Sequence, residues 1–304
     1  MPLLFTYLKL CAAVFAWGGT FIAAKFAVAE ASIEVSSLTR FTLAALLLLV
    51  ILRLRLGHLP RLNRLQLFYV VMLGLTGVTL YNLFFFFGLQ TVEAGRGALI
   101  ITSNPLWVAL GAALFFQQRF MTINLLGLLF CASGVTIVLS RGNVAELLSV
   151  GIGAGEAALL GCALSWAAYT LFGKKLMLSH SPLQPLVLVA YSCVSGSVLL
   201  ILWMGVSGQA LNLSSSIEFW ISILYLSVLG TVVAFVWYFE GVHRIGAAQS
   251  SVFVFLVPVS ALLLGSLILD EPLTLSLLVG GGLIITGVVM VNYTSKRTVS
   301  GSVA

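Results

Sequence analysis

Charge is what this sequence has least of. Asp, Glu, Lys and Arg make up 8% of its 304 residues, where a water-soluble domain carries roughly 25%. Hydrophobic residues are 61% of the chain, and the mean hydropathy is +1.14. Such a composition excludes an ordinary soluble domain and points to life in lipid. Acid is scarcer still, with 9 Asp and Glu against 15 Lys and Arg. None of the acids lies near the centre of an apolar run, so no buried carboxylate is visible there. His58, His180 and His243 are scattered. Cys11, Cys131, Cys162 and Cys193 all fall inside apolar runs, with neither zinc-type nor secreted-disulfide spacing. Packing is their expected job, and no metal or other cofactor is expected. The net charge of +6 would suggest nucleic acid in a soluble protein. Here the Lys and Arg sit between apolar runs and report topology, so no nucleic-acid partner is expected.

What the chain does have is long apolar runs. A bilayer core needs about 20 apolar residues per helix, and lipid-facing backbone must be helical or in a closed barrel. Ten runs qualify: 7–28, 35–55, 65–87, 94–116, 122–140, 156–177, 184–205, 217–239, 247–269 and 273–292. The first follows Lys9 in the manner of a signal peptide but continues to Val28, with Trp17 and Lys25 inside it, and is read as an uncleaved span. Lys and Arg are retained on the cytoplasmic side. With the N-terminus inside, Lys9, Arg53, Arg55, Arg61, Arg64, Arg119, Lys174, Lys175, Arg244, Lys296 and Arg297 fall there, and Lys25, Arg96 and Arg141 fall outside.

The sequence also repeats. Gly88, Pro105, Gly127 and Gly134 recur at one constant offset as Gly241, Pro258, Gly280 and Gly287, and Gly77 recurs as Gly230. At a slightly shorter offset, Trp17 and Lys25 match Trp166 and Lys174. Two five-helix units are expected, residues 1–140 and 156–295, joined by 141–155 and followed by a cytoplasmic tail, 296–304. Five is odd, so the second unit enters the membrane from the opposite face. The expected fold is therefore all-α integral membrane, ten helices as two inverted repeats, with both termini cytoplasmic.

With these residues assembled, the chain resembles the drug/metabolite transporter superfamily, and within it the ten-helix EamA type that includes bacterial amino-acid exporters. The resemblance is full length. It is carried by Trp17-Gly18-Gly19-Thr20-Phe21 with Lys25, by Arg40-Phe41 followed by Ala44-Ala45-Leu46-Leu47, and by Pro105, Pro258, Glu271 and the two glycine pairs. In the family an acidic residue commonly follows the proline helix of each half. Glu271 fits that pattern, whereas the first half has Gln118. The resemblance implies that helices one, three, four, six, eight and nine line a central cavity.

Pro105 and Pro258 lie well inside their runs, roughly 16 Å from the helix ends at 1.5 Å per residue. A helical proline displaces the carbonyl four residues back, so Ile101 and Val254 are expected to offer carbonyls to water, a side chain or a solute. Paired helix interruptions at equivalent places point to a central transport site; the bland alternative is a packing kink. The polar and aromatic candidates near that depth are Trp17, Tyr81, Asn82, Ser103 and Asn104 in the first half. In the second they are Trp166, Tyr169, Trp237, Gln249 and Ser250. Such a lining suits a small zwitterion with an apolar side chain, while belt anchoring or core filling accounts for part of any such list. Lys25 and Arg40 are charges within spans. They can hold a substrate carboxylate, pair with Glu30 or Glu34, or snorkel to the interface.

The expectation is a multi-pass transporter of the bacterial inner membrane, not an enzyme. It would work by alternating access on a small metabolite, with export of an amino acid or related compound as the leading cargo. Uptake or drug efflux by the same fold is the nearest rival. An integral-membrane enzyme on lipid-linked substrates is remote, since the scattered histidines offer no catalytic constellation. Gly127 with Gly134, and Gly280 with Gly287, permit close helix contact, within a monomer or across a homodimer.

Overall fold

A computed structural model of the chain describes residues 3–89, 91–92, 100–118, 120–140, 153–269 and 275–293. Glu271, Arg96, Arg119, Arg141, Lys296 and Arg297, used in the topology and motif readings above, lie outside the described residues, as does the side chain of Lys25. Among the described residues the regular structure is helical and groups into ten rods. In the first half these are α1 (Leu3–Glu30), α2 (Ile33–Leu56), α3, α4 (Asn104–Phe116) and α5 (Thr122–Ser140). α3 runs through Arg64–Leu73, a π-helical Gly74–Leu80 and Tyr81–Leu89. In the second half they are α6 (Ala154–Met177), α7 (Pro185–Ser207), α8, α9 and α10 (Leu275–Tyr293). α8 runs through Ile217–Ser227, a π-helical Val228–Val233 and Ala234–Ile245, and α9 through Ala247–Ser251, a 3-10 stretch Val252–Leu256 and Val257–Leu269.

Local chemistry sets the ends. Ser32 caps α2 by accepting the Val35 N–H at 3.3 Å, and Asn63 and Gln66 form a capping box at the start of α3. The same Gln66 donates its amide to the Ser181 carbonyl at 3.0 Å, tying α3 to the turn between α6 and α7. Gly246, at φ 101°, makes the corner between α8 and α9.

Among the described residues five helices are long and apolar enough to cross a membrane by themselves: Leu3–Glu30, Ile33–Leu56, Arg64–Phe85, Pro185–Ser207 and Ile217–Ile245. Asn104–Phe116, Thr122–Ile137, Ala247–Ala261 and Leu278–Asn292 are shorter apolar helices. The outer faces carry large apolar side chains in the open, with Phe115 at 74% and Val206 at 86% exposure. In water that surface would be a severe liability, whereas in lipid it is the expected covering.

The rods pack by exchange between the two halves. α1 lies on α8 and α9, while α6 lies on α3 and α4; α2 pairs with α7, and α5 with α10. Glycines mark the closest approaches. A Cβ on Gly88 would sit 2.4 Å from Leu159 of α6, and one on Gly241 would sit 2.7 Å from Leu10 of α1. Gly77 lies under the Tyr169 ring and Gly230 under the Thr20 methyl, where an added Cβ would stand 2.4 and 2.6 Å away. In the α5–α10 pair, a Cβ on Gly127 would stand 2.8 Å from the Gly287 carbonyl and one on Gly134 2.5 Å from that of Gly280, so these helices run antiparallel. The repeated glycines thus pack inside one chain.

Both prolines sit just beyond a break rather than within a smooth kink. Thr102 and Ser103 form a turn, after which Pro105 occupies the first turn of α4; Pro258 follows the 3-10 stretch of α9. Proline lacks the N–H that the first turn leaves unused and is pre-set for helix there, so the chain restarts at the ring. The two carbonyls are also occupied rather than open. Ile101 O accepts the Asn104 side-chain amide at 3.1 Å, and Val254 O accepts the Val257 N–H.

Candidate functional site

Where α1, α3, α6 and α8 meet, aromatic rings converge. Trp17 of α1 and Trp166 of α6 stand edge to face with centroids 5.2 Å apart. Trp166 also contacts Tyr81 of α3 at 5.6 Å, Tyr169 at 5.3 Å, and Phe235 and Tyr238 of α8 at 5.3 and 5.7 Å. Trp17 reaches the same Phe235 and Tyr238 at 5.9 and 5.4 Å, and Phe41 of α2 adds an edge contact to Phe235 at 6.3 Å. Each such pair contributes about 0.5–1.5 kcal/mol beyond burial. Trp166 is therefore the hub, bridging rings from both halves.

The two π-helical segments aim this cluster. A π turn inserts an extra residue and rotates everything after it about the helix axis. Tyr81 and Asn82 follow the first such segment, and Phe235 and Tyr238 follow the second. A π turn also leaves backbone carbonyls poorly matched, and side chains take them up. Trp17 donates its indole N–H to Gly230 O at 3.0 Å, Thr231 donates its hydroxyl to Leu226 O at 2.9 Å, and Asn82 donates its amide to Val78 O.

Two hydroxyl pairs fringe the rings. Tyr169 and Ser192 share a hydroxyl contact at 3.3 Å, and Tyr238 and Thr170 share one at 2.9 Å. The Ser103 hydroxyl bonds Ile100 O at 2.6 Å and receives the Trp107 indole at 3.2 Å. Asn104 Oδ1 and Ser250 Oγ are buried without a hydrogen bond among the described residues. Arg40 turns inward from α2, its Nε donating to Thr231 Oγ1 at 3.0 Å. It pairs with neither Glu30 nor Glu34 among the described residues; Glu30 instead accepts the Ser214 hydroxyl at 3.2 Å.

Of the sequence candidates, Trp17, Tyr81, Trp166 and Tyr169 come together, with Asn82 next along α3. Trp237 does not join them. It faces Lys9, whose ammonium lies 5.9 Å from its ring and forms an ion pair with Glu240 at 2.5 Å. Gln249 stands apart as well, accepting the Gln118 amide at 3.1 Å. Phe41, Phe85, Phe235, Tyr238 and Phe239 are ring partners absent from the candidate set. Tyr238 is Trp237's neighbour, a turn of about 100° around the helix, and helical spacing from Trp166 alone gave no way to choose between them. Lys174 donates to Val242 O at 3.4 Å. Away from the rings, a cleft of about 350 Å³ opens among Tyr69, Phe116, Lys175 and His180 at the ends of α3, α4 and α6.

Apolar outer faces around an internal aromatic cluster define the class, a multi-pass membrane protein. Comparison with known proteins narrows it. The sequence pattern of the EamA-like transporter family matches residues 4–140 and again 153–293. The chain belongs to that family, and so to the drug/metabolite transporter superfamily. It is similar to the uncharacterized transporter YyaM of Bacillus subtilis, 29% identical over 89% of this chain and 88% of that protein. It is also similar to a probable terminal-alkyne amino-acid exporter of Streptantibioticus cattleyicolor, 27% identical over 92% and 90%. A crystal structure of a protein 20% identical shares the fold, with a TM-score of 0.78 over 96% of this chain and 98% of that one.

Proposed function

We propose that the protein exports small organic metabolites, amino acids or close relatives first among them, across the bacterial inner membrane by alternating access. In this reading all ten rods span, both termini are cytoplasmic, and the two five-helix halves are inverted copies rocking about the aromatic cluster. The observation that carries it is Trp166. One side chain of the second half gathers Trp17 and Tyr81 of the first with Phe235 and Tyr238 of its own half, so relative movement of the halves must open or close this contact.

Inversion is supported by the exchanged glycine contacts. Gly88 on Leu159 and Gly241 on Leu10 are one contact made twice with the halves swapped, as a two-fold axis would produce. The antiparallel meeting of Gly127 with Gly287 and Gly134 with Gly280 supports an axis lying across the helices. The cargo reading draws on the Streptantibioticus relative, named as a probable terminal-alkyne amino-acid exporter, and on an aromatic surround suited to an apolar side chain. The reading as a non-enzyme rests on relatives named as transporters.

The test is flux from proteoliposomes loaded with labelled amino acids, sugars and cationic dyes, with and without a pH gradient. Wild type is compared with Trp166→Ala inside the cluster and Trp237→Ala outside it. Movement of an amino-acid group, abolished in the first variant and kept in the second, is the expected result. Full flux in Trp166→Ala would remove the cluster from the pathway, and flux of dyes alone would replace the cargo.

A further inference from the structure

The least satisfied charge in the described interior is Arg40. A guanidinium carries five N–H donors in a planar fork, and here only Nε has a protein acceptor, Thr231 Oγ1 at 3.0 Å. The remaining donors, on Nη1 and Nη2, meet no carboxylate and no carbonyl among the described residues. Its electrostatic neighbours are the hydroxyl of Tyr81 and the thiol of Cys193, and its guanidinium carbon stands 4.9 Å from the Phe41 ring centroid. None of these balances a positive charge. A cation taken from water without an anion is costly, and Arg40 has not snorkelled to an interface, because it is held against α8. Its side chain is nonetheless only half-buried, so space remains beside it.

That space adjoins the aromatic cluster. A Cβ on Gly230 would stand 3.6 Å from Arg40 Nη2, so the glycine leaves the face of the fork clear. The carbonyl of the same Gly230 receives the Trp17 indole, whose ring stands against Trp166. Phe41, beneath the guanidinium, contacts Phe235 of the same cluster. One end of this arrangement is an open cationic fork and the other is a wall of rings.

We infer that Arg40 binds the carboxylate of the transported molecule through its free Nη donors, fixing an organic monocarboxylate whose apolar body lies against Trp17, Trp166 and Phe235. Planar bidentate pairing with carboxylate is what a guanidinium fork offers and an ammonium does not. Glu30, Glu156, Glu218 and Glu240 are bonded to Ser214, Gly153, Ser216 and Lys9, so a substrate ammonium is not a requirement of the site. The inference rests on the transport reading and narrows its substrate class to carboxylates.

The experiment measures binding by tryptophan fluorescence, and flux in proteoliposomes, on purified full-length protein. Its panel is L-phenylalanine, L-leucine and L-propargylglycine, each with its carboxamide, together with glucose and a cationic dye. Wild type is expected to favour at least one acid over its amide by about tenfold to a hundredfold, the range of a charge-assisted hydrogen bond. Arg40→Gln should erase that preference while leaving amide binding in place, and Arg40→Lys, which keeps the charge and loses the fork, should fall between. A preference that survives in Arg40→Gln overturns the inference and leaves transport standing. Wild-type binding of acid and amide alike overturns it without recourse to a variant, and so does failure to bind any acid. Flux of glucose or dye in that last case keeps the transporter reading, and no flux of any solute counts against both.

Discussion

Trp17 donates its indole N–H to the carbonyl of Gly230, 3.0 Å away, joining the first helix of the chain to the π-helical segment of the eighth. The bond matches a buried donor to an acceptor that the widened turn leaves exposed. Trp17→Phe keeps a ring and removes the donor. Stranding the carbonyl is expected to cost about 1–3 kcal/mol. Trp17→Ala also loses the contacts to Trp166, Phe235 and Tyr238 and is expected to cost about 3–5 kcal/mol. Thermal unfolding followed by size-exclusion fluorescence reads both; equal melting of Trp17→Phe and wild type would deny the bond any role.

The α5–α10 seam leaves no room for side chains. A Cβ on Gly134 would lie 2.5 Å from Gly280 O and one on Gly287 2.5 Å from Gly127 O, backbone atoms that cannot swing aside. Gly134→Val and Gly287→Val should yield little folded protein. Gly205→Ala and Gly282→Ala, where nothing lies within 4 Å, should be neutral or stabilised by up to about 1 kcal/mol. Expression and melting temperature distinguish the two groups.

Gly77 is where the Tyr169 ring rests. A methyl there would meet ring atoms at 2.4–2.7 Å, pushing Tyr169 off Ser192 and away from Trp166. Gly77→Ala should lower flux more than it lowers melting temperature. Adding Tyr169→Ala should then cost less than in the wild-type background, since the clash has gone. Additive losses would mean that the two residues act separately.

Lys9 and Glu240 pair at 2.5 Å with side chains 17% and 37% exposed. A double-mutant cycle to Ala is expected to give about 0.2–1 kcal/mol of coupling, shrinking as salt is raised. Coupling of several kcal/mol would place the pair in a drier setting than its exposure implies.

Reporter fusions address topology. A fluorescent protein at either terminus should glow and an alkaline phosphatase should stay silent, as expected of cytoplasmic ends; the reverse at one end alone would require an odd number of spans.

Trp17, Tyr81 and Trp166 could be singled out because each is an aromatic inside an apolar run, where belt anchoring is a weaker explanation, and Tyr169 because it shares a helix face with Trp166 about one turn away. Phe235 and Tyr238 were hidden by the π turn at Val228–Val233. A 3.6-residue projection carried along α8 loses its phase across that segment, so Trp237 and Tyr238 could not be ranked. Matched glycines, Gly77 and Gly230, were its one trace in sequence. The prolines were visible, but their carbonyl partners were not. Asn104 satisfies Ile101 through its own side chain, and Val254 is taken by a 3-10 bond, both decisions of local backbone geometry. Arg40 carried three readings until the structure turned it toward Thr231 and away from Glu30.

The exchange of first helices also sets an order of events at the ribosome. Trp17 and its carbonyl partner are 213 residues apart in the chain. At about 5–20 residues per second, α1 waits roughly 10–40 s in the bilayer before α8 is made. During that interval lipid covers the faces that α8 and α9 will take, and those apolar faces tolerate the delay. The first half therefore cannot finish folding as a unit: its opening helix is completed by the second half, and truncation anywhere before α8 leaves Trp17 without the acceptor it is built to meet.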